Sequence, residues 1–275
     1  MFSYGTGMHS QMIPTYIYFT LLESPQGDYI EANRDLGLIR SFHQVLSWDY
    51  YVNSSLRIKT EAYYQFLYKV PVEYTSSSYS VLDEGHDMQR FFPDSLVSSG
   101  RGRNYGMELT VEKFFSKSYF LMLTASLYDA KRTGSDGINY DALFNGAYVL
   151  NLLGSREFNL GARQNHSITV GGKLTCAGGK RYTPVDEEAS VIAGEAVYID
   201  SQRNYLQFKP YFRIDLKINY RFNAANTIHE VGVDLINITN RENVPKQIYI
   251  SGAEPPLQPV YQMEFMPIFY YRFDF

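Results

Sequence analysis

A two-residue hydrophobic period, held far longer than an ordinary strand requires, leaves this chain few folds to choose from. Between Phe212 and Phe222 the residues Phe212, Ile214, Leu216, Ile218, Tyr220 and Phe222 alternate with Arg213, Asp215, Lys217, Asn219 and Arg221. Successive strand side chains point to opposite faces, so one face is apolar and the other ionic. The pattern recurs where Leu56, Ile58, Ala62, Tyr64, Phe66 and Tyr68 oppose Arg57, Lys59, Glu61 and Gln65. It recurs again with Met107, Leu109 and Val111 against Glu108, Thr110 and Glu112, and at the end with Phe265, Phe269, Tyr271, Phe273 and Phe275 against Glu264, Tyr270, Arg272 and Asp274. Any one of these stretches alone suits a half-buried strand of a soluble sheet. Repetition, length and connection lengths decide between the two.

The alternation predicts strands over about 42–52, 55–70, 104–115, 118–130, 146–159, 165–178, 209–222, 227–239 and 263–275. Their connections alternate strictly. Short ones follow the first, third, fifth and seventh, as at Asn53-Ser54, Ser116-Lys117, just after Phe158, and Asn223 to Asn226. Long ones, 71–103, 131–145, 179–208 and 240–262, follow the others. Tight turns at one end and long loops at the other are the pattern of outer-membrane barrels, and a soluble sandwich has no reason to follow it. Strand length agrees, because a spanning strand needs about 9–11 tilted residues against about 5–6 in soluble proteins. Aromatics also gather near strand ends (Tyr50, Tyr51, Tyr63, Tyr64, Phe114, Phe115, Tyr220, Phe222), where interfacial girdles sit.

Composition removes other classes. With 25 Lys+Arg against 29 Asp+Glu, a net charge of -4 and no basic stripe, the chain offers no field for nucleic acid. Hydrophobic residues at 45% exclude a disordered tail. The lone Cys176 supports neither a disulfide nor a cysteine zinc site within the chain. No run approaches the roughly 18 apolar residues of a spanning helix. The start, Met1 to Gly7, lacks the basic and apolar regions of a signal peptide.

Several segments then resemble the C-terminal part of TonB-dependent outer-membrane receptors, in particular the carboxypeptidase-regulatory-like-domain group common in Bacteroidota. They are Tyr4 to Gln11, Ser41-Phe42-His43, Glu61 to Gln65 running on to Pro71-Val72, Tyr105 to Lys113, and Asn151-Leu152-Leu153-Gly154. Gly178 to Pro184, Tyr211 to Leu216 and Asn237-Ile238-Thr239-Asn240 follow in the family's order. The resemblance implies a 22-stranded, plugged barrel that imports a large nutrient, of metal-chelate or glycan type, using energy from the inner-membrane TonB complex. It implies a bacterial outer-membrane location, contact with outer-membrane lipid and lipopolysaccharide, and recognition by the barrel assembly machinery through the aromatic C-terminal strand, Phe273 and Phe275. No plug, TonB box or leader is recognisable, and Phe2 to Gln11 reads as a tenth strand cut part-way. Residues 1–275 are therefore expected to be the C-terminal part of a receptor barrel, unable to transport alone.

The fold expected is all-β: an antiparallel transmembrane β-barrel segment of about nine to ten meander strands, forming an open partial barrel. If its apolar face meets lipid, Lys59, Glu61, Glu108, Glu112, Lys173, Arg213, Asp215 and Lys217 line the lumen, where mixed charges pair across strands. Catalysis finds little support, and neither a metal nor a cofactor is expected. His166 and Ser167 are adjacent and so point to opposite faces, unable to form a nucleophile–base pair. Asp83, Glu84, His86 and Asp87 approximate a carboxylate–histidine group, yet they read best as a solvated acidic loop tip. That segment and, separately, Glu187-Glu188 offer oxygen ligands for calcium, but neither has the spacing of a calcium loop. Arg101-Gly102-Arg103 suits an anionic substrate or a lipopolysaccharide phosphate, or simply a polar loop end. The long-loop aromatics Tyr79, Phe91, Phe92, Tyr182, Tyr198, Tyr249 and Tyr261 suit ligand stacking or loop packing equally. Two rivals remain: a small stand-alone barrel acting as enzyme or adhesin, and a soluble β-sheet binding module.

Overall fold

In the computed structural model, which describes residues 1–23, 27–84 and 93–275, ten strands form one antiparallel meander. They are β1 (Phe2–Gln11), β2 (Ile39–Asn53), β3 (Leu56–Glu73), β4 (Leu96–Ser116), β5 (Tyr119–Thr133), β6 (Tyr148–Leu160), β7 (His166–Ala177), β8 (Tyr211–Asn223), β9 (Ile228–Ile236) and β10 (Met266–Asp274). Each strand pairs with its sequence neighbour, and the short piece Asn139–Asp141 adds to the loop end of β5. Two-stranded hairpins and short helices occupy the long connections, all at one end.

All nine expected strands are present. Phe2–Gln11 forms the tenth strand at the place expected: β1 pairs with Ile39–Trp48, the long-loop part of β2, while β2 itself runs on to Asn53 at the short turn. Its glycines and polar residues blur the alternation, but backbone pairing does not depend on side-chain polarity. The expected loop over 71–103 is too long: β3 and β4 run on to Glu73 and back from Leu96, across register shifts near Val70.

The register carries the division into two faces from strand to strand. Lys217 lies opposite Gly171 and Asp234, Asp215 opposite Lys173, and Lys173 opposite Leu153. Farther along, Glu112 lies opposite Met122 and Arg57, Glu108 opposite Ser126 and Glu61, and Lys59 opposite Asp49. Followed through, these pairs place all eight predicted polar residues on one face. The other face leaves Leu46, Trp48, Tyr64, Met107, Leu121, Leu127, Leu152, Val170, Ile218, Val231, Phe269 and Tyr271 exposed. So wide an apolar surface is foreign to a water-soluble monomer and natural to a wall that meets lipid.

A single-layer wall has no interior, so the buried apolar cluster lies elsewhere. Ile13, Ile17, Val70, Tyr79, Val81 and Leu96 pack at the long-loop end, where the β1–β2 and β3–β4 connections cover the extended tips of β3 and β4. Asn33 fastens this cap, its side chain donating to the Asp94 carbonyl at 3.0 Å and accepting from the Leu96 amide at 2.8 Å.

The barrel is not closed: among the described residues, β1 and β10 each have one edge without a strand partner. Open edges and an apolar face together promote edge-to-edge association. The 275-residue chain expressed alone should therefore collect in inclusion bodies or require detergent. Size-exclusion chromatography with light scattering checks this, and a monodisperse monomer in plain buffer would contradict it.

Candidate functional site

Two regions carry the polar chemistry. The first is the ionic face of the wall. Arg57 on β3 holds Asp49 on β2 through Nε at 3.0 Å and Nη2 at 2.5 Å, and reaches Glu112 on β4 at 3.7 Å. Lys217 pairs across to Asp234 at 3.3 Å and lies 4.5 Å from the Tyr270 ring. Lys59–Glu61 at 2.6 Å and Arg213–Asp215 at 2.7 Å instead pair two residues apart on one strand. The expected cross-strand pairing thus accounts for only some of the bridges. Side chains at i and i+2 share a face, and a long cation bends along its own strand as readily as across. Asp215 also accepts from the Asn237 amide at 2.9 Å, coupling this face to the turn leaving β9.

Asn237 explains the segment Asn237 to Asn240. Its backbone is left-handed, with φ 51°, and its buried side chain donates to the carbonyls of Arg241 at 3.0 Å and Met263 at 3.1 Å. Asn240, with φ 48°, caps the same turn by accepting from the Phe265 amide at 2.9 Å. Asparagine tolerates this conformation because its short side chain bonds locally. Close backbone approach similarly accounts for Gly178-Gly179. A Cβ would lie 1.6 Å from the Gly146 carbonyl oxygen at the first glycine and 1.9 Å from that of Phe208 at the second.

The second region is a knot of long loops centred on Arg132, a residue the sequence reading did not single out. Its side chain is 1% exposed, and its Nε donates to Asp83 Oδ2 at 2.7 Å while Nη1 donates to the Ser78 carbonyl at 2.5 Å. Asp83 also accepts from Asn204 Nδ2 at 2.9 Å and the Leu143 amide at 3.2 Å. Ser78 bonds Asp200, and Arg203 Nε donates to the Ser78 hydroxyl at 3.0 Å. Connections 74–95, 134–147 and 178–210 are thereby tied to one ion pair.

Asp83 is accordingly no part of a solvated acidic tip, which corrects that expectation. Glu84 is half-buried, while His86 and Asp87 lie outside the described residues. Glu187 and Glu188 begin a separate short helix capped by Asp186. Burial, followed by the charge of Asp83, pushes the Glu84 carboxyl above its usual range, and the Tyr79 hydroxyl and Arg203 offset part of this. Burial likewise raises the Tyr79 phenol, with Glu84 adding to it. A carboxyl raised in the folded state favours folding below its unfolded value and opposes it as pH rises through the folded one. Glu84→Gln should therefore protect the loop knot more at pH 7 than at pH 4, as read by amide exchange at Val81–Asp83. Equal protection at both pH values would count against it.

Beside the knot opens a cavity of about 260 Å³. Tyr79, Tyr182, Tyr198 and Tyr249 line it, so the fold gathers four of the predicted loop aromatics. Phe208 stacks on Tyr182 with ring centroids 4.2 Å apart. Tyr261 is not in the lining, and Phe91 and Phe92 lie outside the described residues. Lys180, Arg181, Arg203 and Lys246 supply cations around the same space, against the carboxylates Asp83 and Glu84.

Elsewhere, His166 turns to the apolar face, where its ring lies 2.6 Å from the Tyr220 hydroxyl, while Ser167 is buried on the other side. The sequence reading missed a nearer serine–histidine contact, Ser41 Oγ to His43 Nε2 at 2.8 Å, which an i, i+2 spacing on one strand face could have disclosed. Gln65 bonds that same ring nitrogen at 2.8 Å, and no carboxylate bonds the ring among the described residues. The contact therefore lacks the orienting acid of a nucleophile–base pair.

The meander, its two faces and the grouped loops define the wall of an outer-membrane-type barrel carrying a small hollow among its long loops. The family profile described as "TonB dependent receptor-like, beta-barrel" matches residues 1–240, and the chain belongs to that family. No curated protein matches the sequence. Among solved structures it is similar to BauA, the ferric preacinetobactin receptor from Acinetobacter baumannii, with TM-score 0.60 and 14% identity over 100% of this chain and 34% of that one. It is also similar to the ferric-catecholate import receptor Fiu from K12 E. coli, with TM-score 0.57 and 14% identity over 98% and 32%. FpvA from P. aeruginosa follows at TM-score 0.55 and 11% identity, over 100% and 30%. The chain thus spans about a third of the length of these receptors, and the likeness at such identity is one of fold. Family and fold imply a Gram-negative outer-membrane location.

Proposed function

We propose that residues 1–275 are the C-terminal part of a TonB-dependent receptor barrel and that the complete receptor imports an anionic metal-chelate across the outer membrane. The observation carrying this reading is the cavity where Lys180, Arg181, Arg203 and Lys246 meet four tyrosines. Cations with flat aromatic faces suit a charged, planar ligand better than a neutral glycan. A volume of about 260 Å³ falls below the roughly 300–1,000 Å³ of a complete ligand pocket, so the cavity takes part of the ligand only. Within the family, the order and spacing of the matching segments from Tyr4 to Asn240 favour the Bacteroidota-type group.

The polar face of the wall, with Lys59, Glu61, Glu108, Glu112, Lys173, Arg213, Asp215 and Lys217, faces the lumen and seats the receptor's own plug. Energy comes from the inner-membrane TonB complex. Phe273 and the fully exposed Phe275 present the assembly machinery with its aromatic signal. At the long-loop end of the lipid face, Arg103 lies opposite Lys131 and Phe66, while Arg101 and Arg40 flank Tyr68. Lys131 reaches Asp141 at 3.9 Å. The three arginines make no ion pair among the described residues and suit lipopolysaccharide phosphates.

The test is binding and uptake by the complete receptor carrying Lys180→Glu and Lys246→Glu. Ferric-chelate binding should fall about tenfold or more, as expected for two reversed charges near a ligand, and dissipating the proton-motive force should abolish uptake. Unchanged chelate binding, or uptake of neutral oligosaccharide alone, would overturn the reading.

A further inference from the structure

We propose that the lipid face also carries a site for an anionic phospholipid of the short-turn leaflet. Its acyl chain lies in a groove crossing β5 to β8, and its phosphate is held by Arg156 and Lys113. The inference rests on the assignment of the apolar face to lipid made above.

The groove begins with a pair of missing side chains. Gly154 on β6 and Gly172 on β7 lie directly opposite one another, on the face that carries Leu152 and Leu174. A groove of about 520 Å³ opens there, walled by Leu121, Leu152, Val170, Leu174 and Ile214. The two glycines differ in what they exclude. A Cβ on Gly154 would stand 2.8 Å from the Phe120 carbonyl oxygen, so backbone packing demands that glycine. A Cβ on Gly172 would meet Leu216 Cδ2 at 3.4 Å, an ordinary contact, so packing alone does not demand the second. Its effect is to keep the groove open.

One end of the groove is charged. Arg156 lies opposite Tyr119, the first residue of β5 after the Lys117-Ser118 turn, and so sits at the short-turn end. Its guanidinium stands 5.2 Å from the Phe158 ring, and Lys113 Nζ stands 4.3 Å from the Tyr119 ring. Lys113 is otherwise bonded to oxygens of the turn, including Ser116 Oγ at 2.6 Å. Among the described residues, no carboxylate pairs with either cation. Two cations without a counter-charge on an apolar wall need an anion, and at this depth of a bilayer the anion is the headgroup phosphate. The guanidinium fork suits two phosphate oxygens at once.

Direction agrees with charge. From the Tyr119–Arg156 pair to the level of Leu152 and Leu174 is four residues, roughly 13 Å along a strand. The groove thus leads from the headgroup level towards the bilayer centre, as an acyl chain does. The short turns lie at the end opposite the long loops, which separates this site from the arginines assigned to lipopolysaccharide.

The experiment is native mass spectrometry of the complete receptor released from nanodiscs containing equal phosphatidylglycerol and phosphatidylcholine. The unaltered receptor should retain phosphatidylglycerol preferentially. Arg156→Gln should weaken that preference about fivefold, the effect of one basic side chain at an anionic surface. Gly172→Leu, which fills the groove and keeps both cations, should lower retention of both lipids. Arg156→Gln leaves the apolar walls Leu121, Leu152, Val170, Leu174 and Ile214 in place, so it carries the test should Gly172→Leu fail to assemble. Equal retention of the two lipids by the unaltered receptor, or unchanged preference in Arg156→Gln, would overturn the site. Thiol labelling at positions 216 and 217 separates this from failure of the face assignment: if Leu216→Cys reacts from water and Lys217→Cys does not, the face assignment falls and the site with it.

Discussion

Leu216→Arg in the complete receptor should sharply reduce the amount of assembled barrel, whereas Lys217→Ser should leave the barrel folded. The two positions are neighbours on β8, yet Leu216 lies opposite Gly172 and Leu235 while Lys217 lies opposite Gly171 and Asp234. An arginine near the middle of the lipid face of a barrel costs about 2–4 kcal/mol. The change at Lys217 removes a bridge to Asp234 whose partners are 50% and 37% exposed, and such pairs contribute about 0–1 kcal/mol. Heat-modifiable mobility in gels measures the folded fraction. Leu216→Cys and Lys217→Cys, with Cys176 replaced by Ser, add the accessibility. An impermeant thiol reagent should modify the cysteine at 217 and spare the one at 216. The reverse outcome would invert the faces, because a slip of one residue moves every side chain of the strand to the other side.

Arg132→Met should loosen three loops at once. Removing one member of a buried ion pair leaves the other charge uncompensated, at a cost of about 3–5 kcal/mol. Asp83 would keep its bonds from Asn204 and the Leu143 amide, which places the effect towards the lower end. Hydrogen exchange should accelerate together at Val81–Asp83, Asn139–Asp141 and Asp200–Gln202, while the wall strands stay protected. Adding Asp83→Asn to Arg132→Met should restore part of the protection, since the stranded charge is then gone. Acceleration confined to one loop would show that the ion pair does not join them.

The strands were legible because their signal is local. Alternation in Phe212 to Phe222 reports the pleat directly, and every stretch of that kind became a strand of the wall. β1 carries a weaker signal, because Gly5, Gly7 and His9 interrupt its alternation, yet its backbone pairs with the long-loop part of β2. The loop knot was misread for a different reason. Asp83 stands beside Glu84 and among residues typical of a polar loop, and its partner Arg132 is 49 residues away. Only the return of β5 beside β4 brings the two together.

The same contrast runs through the candidate site. The sequence named Tyr79, Tyr182, Tyr198 and Tyr249 as loop aromatics, and the fold gathered them around one cavity with four cations. By itself the sequence determined the strands, the two faces and the separation of short turns from long loops. Each follows from a period of two residues and from the length of the intervening chain, properties of the backbone that need no distant contact. The tertiary structure alone decided which loop residues meet, which carboxylate is buried against an arginine, and where paired glycines open a groove. Those contacts join residues far apart in the chain, and a bond through space leaves no period in the sequence.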